Sequence, residues 1–90
     1  MTGVYASHQW TLRASSSTSS AAIATINALG HGSPDSVACW AQADPCAGQV
    51  QGSAYRCSST EPAYNTWTPL RYGGVKRWVA DRCVDFGRVA

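Results

Sequence analysis

The sequence predicts an all-β fold, a single small barrel or sandwich stapled by two disulfides. Three observations lead there. β-branched and aromatic residues gather in short runs within 4–13, 37–41, 66–72 and 75–79. Turn-forming residues separate the runs, and the adjacent Gly73 and Gly74 give the strongest hairpin signal. Cys39, Cys46, Cys57 and Cys83 stand at gaps of 6, 10 and 25 residues without any C-x-x-C pair. That spread is the pattern of a disulfide framework in a small domain made for an oxidising compartment.

The elements follow in chain order. Val4, Tyr5 and the WTLR stretch at 10–13 supply β-formers for a first strand ending at Arg13. Residues 14–20, ASSSTSS, read as a polar loop. Over 21–29 the local signal favours a helix, with Ser20 as cap and Ile23, Ile26 and Leu29 at intervals of three. The competing reading is a strand over 22–26 and a turn at the GHGSP of 30–34. Residues 37–41 form a short strand. Residues 44–61 are an extended connection bearing Pro45, Gly48 and Gly52, too long to be idle in a compact domain. A strand over 66–72 carries Pro69, which argues for an edge or a bulge. Residues 75–79 return from the Gly73 and Gly74 turn, and 80–82 turn into Cys83 and Val84.

Ninety residues make one domain. At this size staples matter, each contributing about 2–4 kcal/mol by restricting the unfolded chain. The net charge of +2 points to neither nucleic acid nor membrane as partner. Five of the seven basic residues (Arg71, Lys76, Arg77, Arg82 and Arg88) lie toward the C-terminus, as a solvated face or a docking surface for an acidic partner. No apolar run approaches the ~18 residues of a membrane span. Residues 1–10, MTGVYASHQW, lack the basic start and apolar core of a signal peptide. The expectation is a mature secreted form with an added Met.

Two segments together resemble a bacterial SH3-like (SH3b) domain. The first, residues 10–42, is similar to the family's opening: the WTLR of 10–13 in the place of a first strand ending in Leu-Asn-Val-Arg, a Ser-rich loop, an apolar run at Ile23 and Ile26, a Gly-bearing turn at 29–32 and a Val-bearing strand at 37–40. The second, residues 65–84, NTWTPLRYGGVKRWVADRCV, is similar to the closing hairpin and final strand. The resemblance implies a five-stranded SH3-like barrel with a core of about 4–86, and a strand rather than a helix over 22–26. Thr11 replaces the family's Asn, Arg77 replaces a common Gly, and residues 43–62 form a long cysteine-bearing loop where the family has a few residues.

Four cysteines permit three connectivities. Cys39–Cys83 with Cys46–Cys57 is favoured, because the first would tie an inner strand to the terminal one and the second would close a local loop; the other two stay open. A zinc site would bring ligands closer than the shortest gap here, so no metal and no cofactor is expected. Among the aromatics, Trp67 and Trp78 match apolar strand positions and read as core. Tyr55, Tyr64 and Tyr72 lie in or beside loops, where an exposed ring stacks on a sugar or anchors a peptide. With Arg13, Arg71 and Arg77 they are the candidate binding residues.

No enzyme is expected. Ser33 in GHGSP lacks the G-x-S-x-G order of a nucleophile elbow, and Asp35, Asp44, Glu61, Asp81 and Asp85 form no recognisable acid–base pair. Trp78 beside Lys76 and Arg77 interleaves aromatic and basic groups as single-strand binders do, but oxidised cysteines and mild charge set nucleic acid aside. The expected function is a secreted, non-catalytic binding module. It serves as a protein–protein adaptor or accessory subunit of a larger extracellular assembly, such as a toxin or surface complex. The alternative, implied by the resemblance, is a module that binds cell-wall peptidoglycan through loop aromatics and the loop after Arg13. The adaptor stands ahead because these residues hold no catalytic domain for a wall anchor to serve, and because the 43–62 loop looks made for one partner.

Overall fold

The computed structural model describes residues 1–6, 8–26, 37–43 and 46–89. Among them it forms β1 (Thr2–Tyr5), β2 (Trp10–Arg13), β3 (Ala22–Ile26), β4 (Val37–Ala38), β5 (Ala41–Gln42), β6 (Cys46–Ala47), β7 (Val50–Tyr55), β8 (Tyr64–Tyr72), β9 (Val75–Ala80), a 3-10 turn (Asp81–Cys83) and β10 (Asp85–Arg88). The fold is all-β, with antiparallel pairing throughout. The expected turn at 30–34 and residues Leu29, Asp35, Asp44 and Pro45 lie outside the described residues.

A five-stranded sheet has the order β3-β2-β9-β8-β7, a three-stranded sheet the order β10-β1-β4, and β5-β6 is a separate hairpin. A single bridge, Cys39 with Leu70, links the region after β4 to β8. Among the described residues the sheets do not close into the expected five-stranded barrel. The reason lies at the start of the chain. The segment expected as one strand over 4–13 is two strands, and β1 pairs with β10 and β4 instead of continuing the sheet that holds β2. The core gathers Val4, Ala6, Trp10, Leu12, Ile26, Val37, Leu70 and Val79 from both sheets.

Over 22–26 the chain is a strand, against its local helical preference. Pairing with β2 (Trp10 opposite Ile26, Leu12 opposite Ala24) buries Ile26 in the core, and that tertiary gain exceeds the few tenths of a kcal/mol per residue that separate local propensities. The 43–62 region is likewise no plain loop. It contains β6 and β7, and β7 runs antiparallel to the first part of β8 even though Gln51, Gly52 and Ser53 are weak strand formers.

The disulfides are Cys39–Cys46 and Cys57–Cys83, which corrects the favoured pairing. The β5-β6 hairpin turns the chain back within seven residues and brings the Cys39 and Cys46 Cα atoms to 5.6 Å. Cys57 follows β7, and Cys83 closes the turn after β9. In the antiparallel run β7-β8-β9 those two ends lie together, with Cα atoms 5.2 Å apart. Two bridges accord with an oxidising environment, and among the described residues no helix is long and apolar enough to cross a membrane.

Candidate functional site

The longest hairpin, β8-β9, organises the surface. Its register is unbroken from Trp67 opposite Ala80 to Tyr72 opposite Val75. Side chains alternate faces along a strand, so Trp67, Pro69 and Arg71 share one face with Ala80, Trp78 and Lys76. Thr68, Leu70 and Tyr72 share the other with Val79, Arg77 and Val75. Pro69 sits inside this hairpin without breaking it. Its carbonyl accepts the Trp40 N–H at 3.1 Å, and the N–H and C=O of one strand residue point the same way. The missing donor therefore faces away from β9, beyond Trp67, the last β8 residue that pairs with β7.

At the tip, Gly73 and Gly74 take φ of 60° and 76°, the left-handed pair that a two-residue hairpin of matching twist requires. A methyl group added to either would meet nothing within 4 Å, so the tip projects into solvent. On one face of the tip, Tyr72 is 38% and Val75 47% exposed. On the other, the Arg71 guanidinium lies 4.2 Å from the centre of the Trp40 ring and the Lys76 ammonium 5.5 Å from it. Lys76 is also 5.8 Å from the Trp78 ring. Arg71 and Lys76 are direct cross-strand partners, an arrangement that repels unless something screens it. The indole faces supply about 0.5–1 kcal/mol of attraction per exposed cation.

An open groove of about 600 Å³ lies toward the other end of β8, lined in part by Gln49, Tyr64, Thr66, Thr68, Asp81 and Phe86. Asp81 is buried, and its carboxylate accepts the Thr66 hydroxyl at 2.7 Å and the Thr68 hydroxyl at 2.8 Å. Tyr55 joins this network: its hydroxyl donates to the Thr66 carbonyl at 2.7 Å and accepts the Arg82 N–H at 3.1 Å. Burial pushes the Tyr55 hydroxyl above its ordinary pKa of 10.0, against the lowering effect of the Arg82 N–H. Among the described residues no three His, Cys, Asp or Glu side chains converge to hold a metal ion.

The expected binding residues are thus dispersed. Tyr55 is buried beside Trp67, with ring centres 5.3 Å apart and edge to face, so it is a core residue and not an exposed contact. Tyr64 lines the groove under the Arg82 guanidinium, 4.6 Å from its ring centre. Tyr72 stands at the opposite end of β8, eight residues and roughly 26 Å away along the strand. Arg13 is half-buried and donates to the Ser20 carbonyl at 3.0 Å, which makes it a brace for the serine loop. Arg77 is half-buried on the face of Tyr72, opposite Arg71. Of the two tryptophans read as core, Trp67 is buried and Trp78 only half-buried. Sequence reasoning missed Trp40 as the platform under Arg71 and Lys76. No spacing signals it, because a contact across 31 residues depends on the bridge between Cys39 and Leu70. Comparison with protein-family models, curated proteins and solved structures returns no match.

Proposed function

We propose that this chain is a secreted, non-catalytic, SH3-like binding module that acts as a protein–protein adaptor in a larger extracellular assembly and docks through the tip of its β8-β9 hairpin. The observation that carries the reading is the projecting Gly73 and Gly74 turn with Tyr72 and Val75 exposed beside it. Large apolar side chains held in water on a preorganised turn lose little conformational freedom on binding, and a tyrosine in such a place is a frequent anchor of protein interfaces. Cys57–Cys83 and the Asp81 network hold the other end of the same sheet, so the tip is presented on a rigid base.

The test is affinity capture from the producing organism's culture medium. The oxidised chain and its Tyr72→Ala, Val75→Ser variant serve as paired baits. One or two secreted proteins retained in stoichiometric amount by the first bait and lost by the second are the expected result. Equal retention by both baits contradicts docking at the tip.

The open groove favours a second reading, the wall-binding role of SH3b domains. The rings of Tyr64 and Phe86 along this groove are the residue types that stack on a glycan or hold a wall peptide. Retention of the chain on purified sacculi, abolished by Tyr64→Ala and untouched by changes at the tip, is the outcome that selects it.

A further inference from the structure

We infer that Arg71 and Lys76, held over the Trp40 indole, form a clamp for a carboxylate, and that the docking partner presents an acidic peptide segment to it. This deepens the reading of the hairpin tip as the docking surface and rests on it.

The argument begins with two like charges placed side by side. Arg71 and Lys76 are directly opposite in the β8-β9 register and share the Trp40 ring. Among the described residues neither has a carboxylate or hydrogen-bond partner. The arrangement therefore leaves five N–H donors of the guanidinium and three of the ammonium to be satisfied from outside. A cation resting against an aromatic face is partly desolvated and restrained, so it loses less freedom when an anion arrives. A guanidinium offers a two-pronged fork that matches a carboxylate, with the ammonium beside it as a point charge.

Placement then selects the occupant. A nucleic acid needs a stripe of cations and open rings on which bases stack. Here the ring of Trp40 is already taken by Arg71, Arg77 is on the opposite face, and Arg82 lies over Tyr64 toward the far end of β8. Arg71 and Lys76 on one face of the tip and exposed Tyr72 and Val75 on the other match an extended peptide that crosses the tip, setting a carboxylate against the cations and an apolar side chain against Tyr72 and Val75.

The test titrates the oxidised full chain with a glutamate-bearing peptide, its glutamine counterpart and a single-stranded oligodeoxynucleotide of equal charge, read by tryptophan fluorescence. The glutamate peptide is expected to bind and the glutamine peptide to bind at least about tenfold more weakly. The affinity falls as salt is raised. Arg71→Gln with Lys76→Gln removes binding, Arg71→Lys weakens it by loss of the fork, Trp40→Phe reduces the fluorescence change, and Arg82→Gln leaves binding intact. Equal affinity for the two peptides, equal loss in Arg82→Gln, or tighter binding of the oligonucleotide overturns the clamp. Failure of the two readings is separable. If the glutamate peptide does not bind while Tyr72→Ala, Val75→Ser still loses its captured protein, the clamp falls and docking at the tip stands. If that capture is unaffected, docking at the tip falls whatever the peptide does.

Discussion

Gly52→Ala is expected to destabilise this protein, although a glycine inside a strand is ordinarily improved by alanine by roughly 0.5–1 kcal/mol. The reversal comes from what lies over Gly52 in β7. An added Cβ would overlap the carbonyl oxygen of Ser16 and stand 2.8 Å from both Ser16 Cβ and Trp67 Cδ1. Relief has two routes, and both cost. Lifting the serine loop breaks the bond from the Ser53 N–H to the Ser16 carbonyl at 3.0 Å and that from the Thr18 N–H to Ser53 Oγ at 2.8 Å, at about 1 kcal/mol each. Moving Trp67, which is 1% exposed and donates through Nε1 to the Ser53 carbonyl at 3.0 Å, strains the core by about 1–3 kcal/mol. Either way, after the alanine gain is subtracted, the net loss is about 1–1.5 kcal/mol, or roughly 4–12 °C in Tm for a domain of this size. Urea unfolding followed by tryptophan fluorescence measures it, with Gln51→Ala on the exposed neighbour as a control expected within ~0.5 kcal/mol of the parent. Faster hydrogen exchange at the Ser53 amide would identify the first route. A Gly52→Ala variant as stable as the parent or more so refutes the close approach of the serine loop to β7.

Three further outcomes are expected. Proteolysis of the oxidised chain without reductant should yield one disulfide-linked peptide pair with Cys39 and Cys46 and another with Cys57 and Cys83; a pair linking Cys39 to Cys83 would contradict the hairpin and sheet-end geometry described above. Loss of the Cys57–Cys83 bridge, whose partners are 26 residues apart, should cost about 3.5 kcal/mol by the chain-entropy argument. Tyr55 contributes stability that is lost at alkaline pH. Its folded pKa is raised above 10.0, so the unfolded chain loses that proton first. Its contribution is fully present below pH 10.0 and is lost as pH rises from there through the folded value. Tyr55→Phe should remove this slope in the urea midpoint and lower stability at neutral pH by about 1–2 kcal/mol, because the Thr66 carbonyl and the Arg82 N–H lose a partner. An unchanged alkaline slope in that variant would assign it to another group.

The sequence by itself determined the β-class, the hairpin at Gly73 and Gly74, and the oxidised state of the cysteines. Each of these is local chemistry: β-branched runs, a glycine pair that alone accepts left-handed φ at no cost, and an even set of widely spaced thiols. It also marked Arg71 and Tyr72 as surface residues of that hairpin. Only the tertiary structure decided the rest. The helix-favouring alanines of 22–26 became a strand because β2 offered a ladder and a core to Ile26. Tyr55, surrounded in sequence by loop residues, went inside because the Thr66 carbonyl and the Arg82 N–H satisfied its hydroxyl there. The cysteines paired by which strand ends met, a property of topology that spacing does not encode. Trp40 came under Arg71 and Lys76 through one bridge across the fold. Local propensities differ by tenths of a kcal/mol per residue, whereas burying one large apolar side chain is worth about 1.5–3 kcal/mol, and where the two disagreed in this chain the burial prevailed.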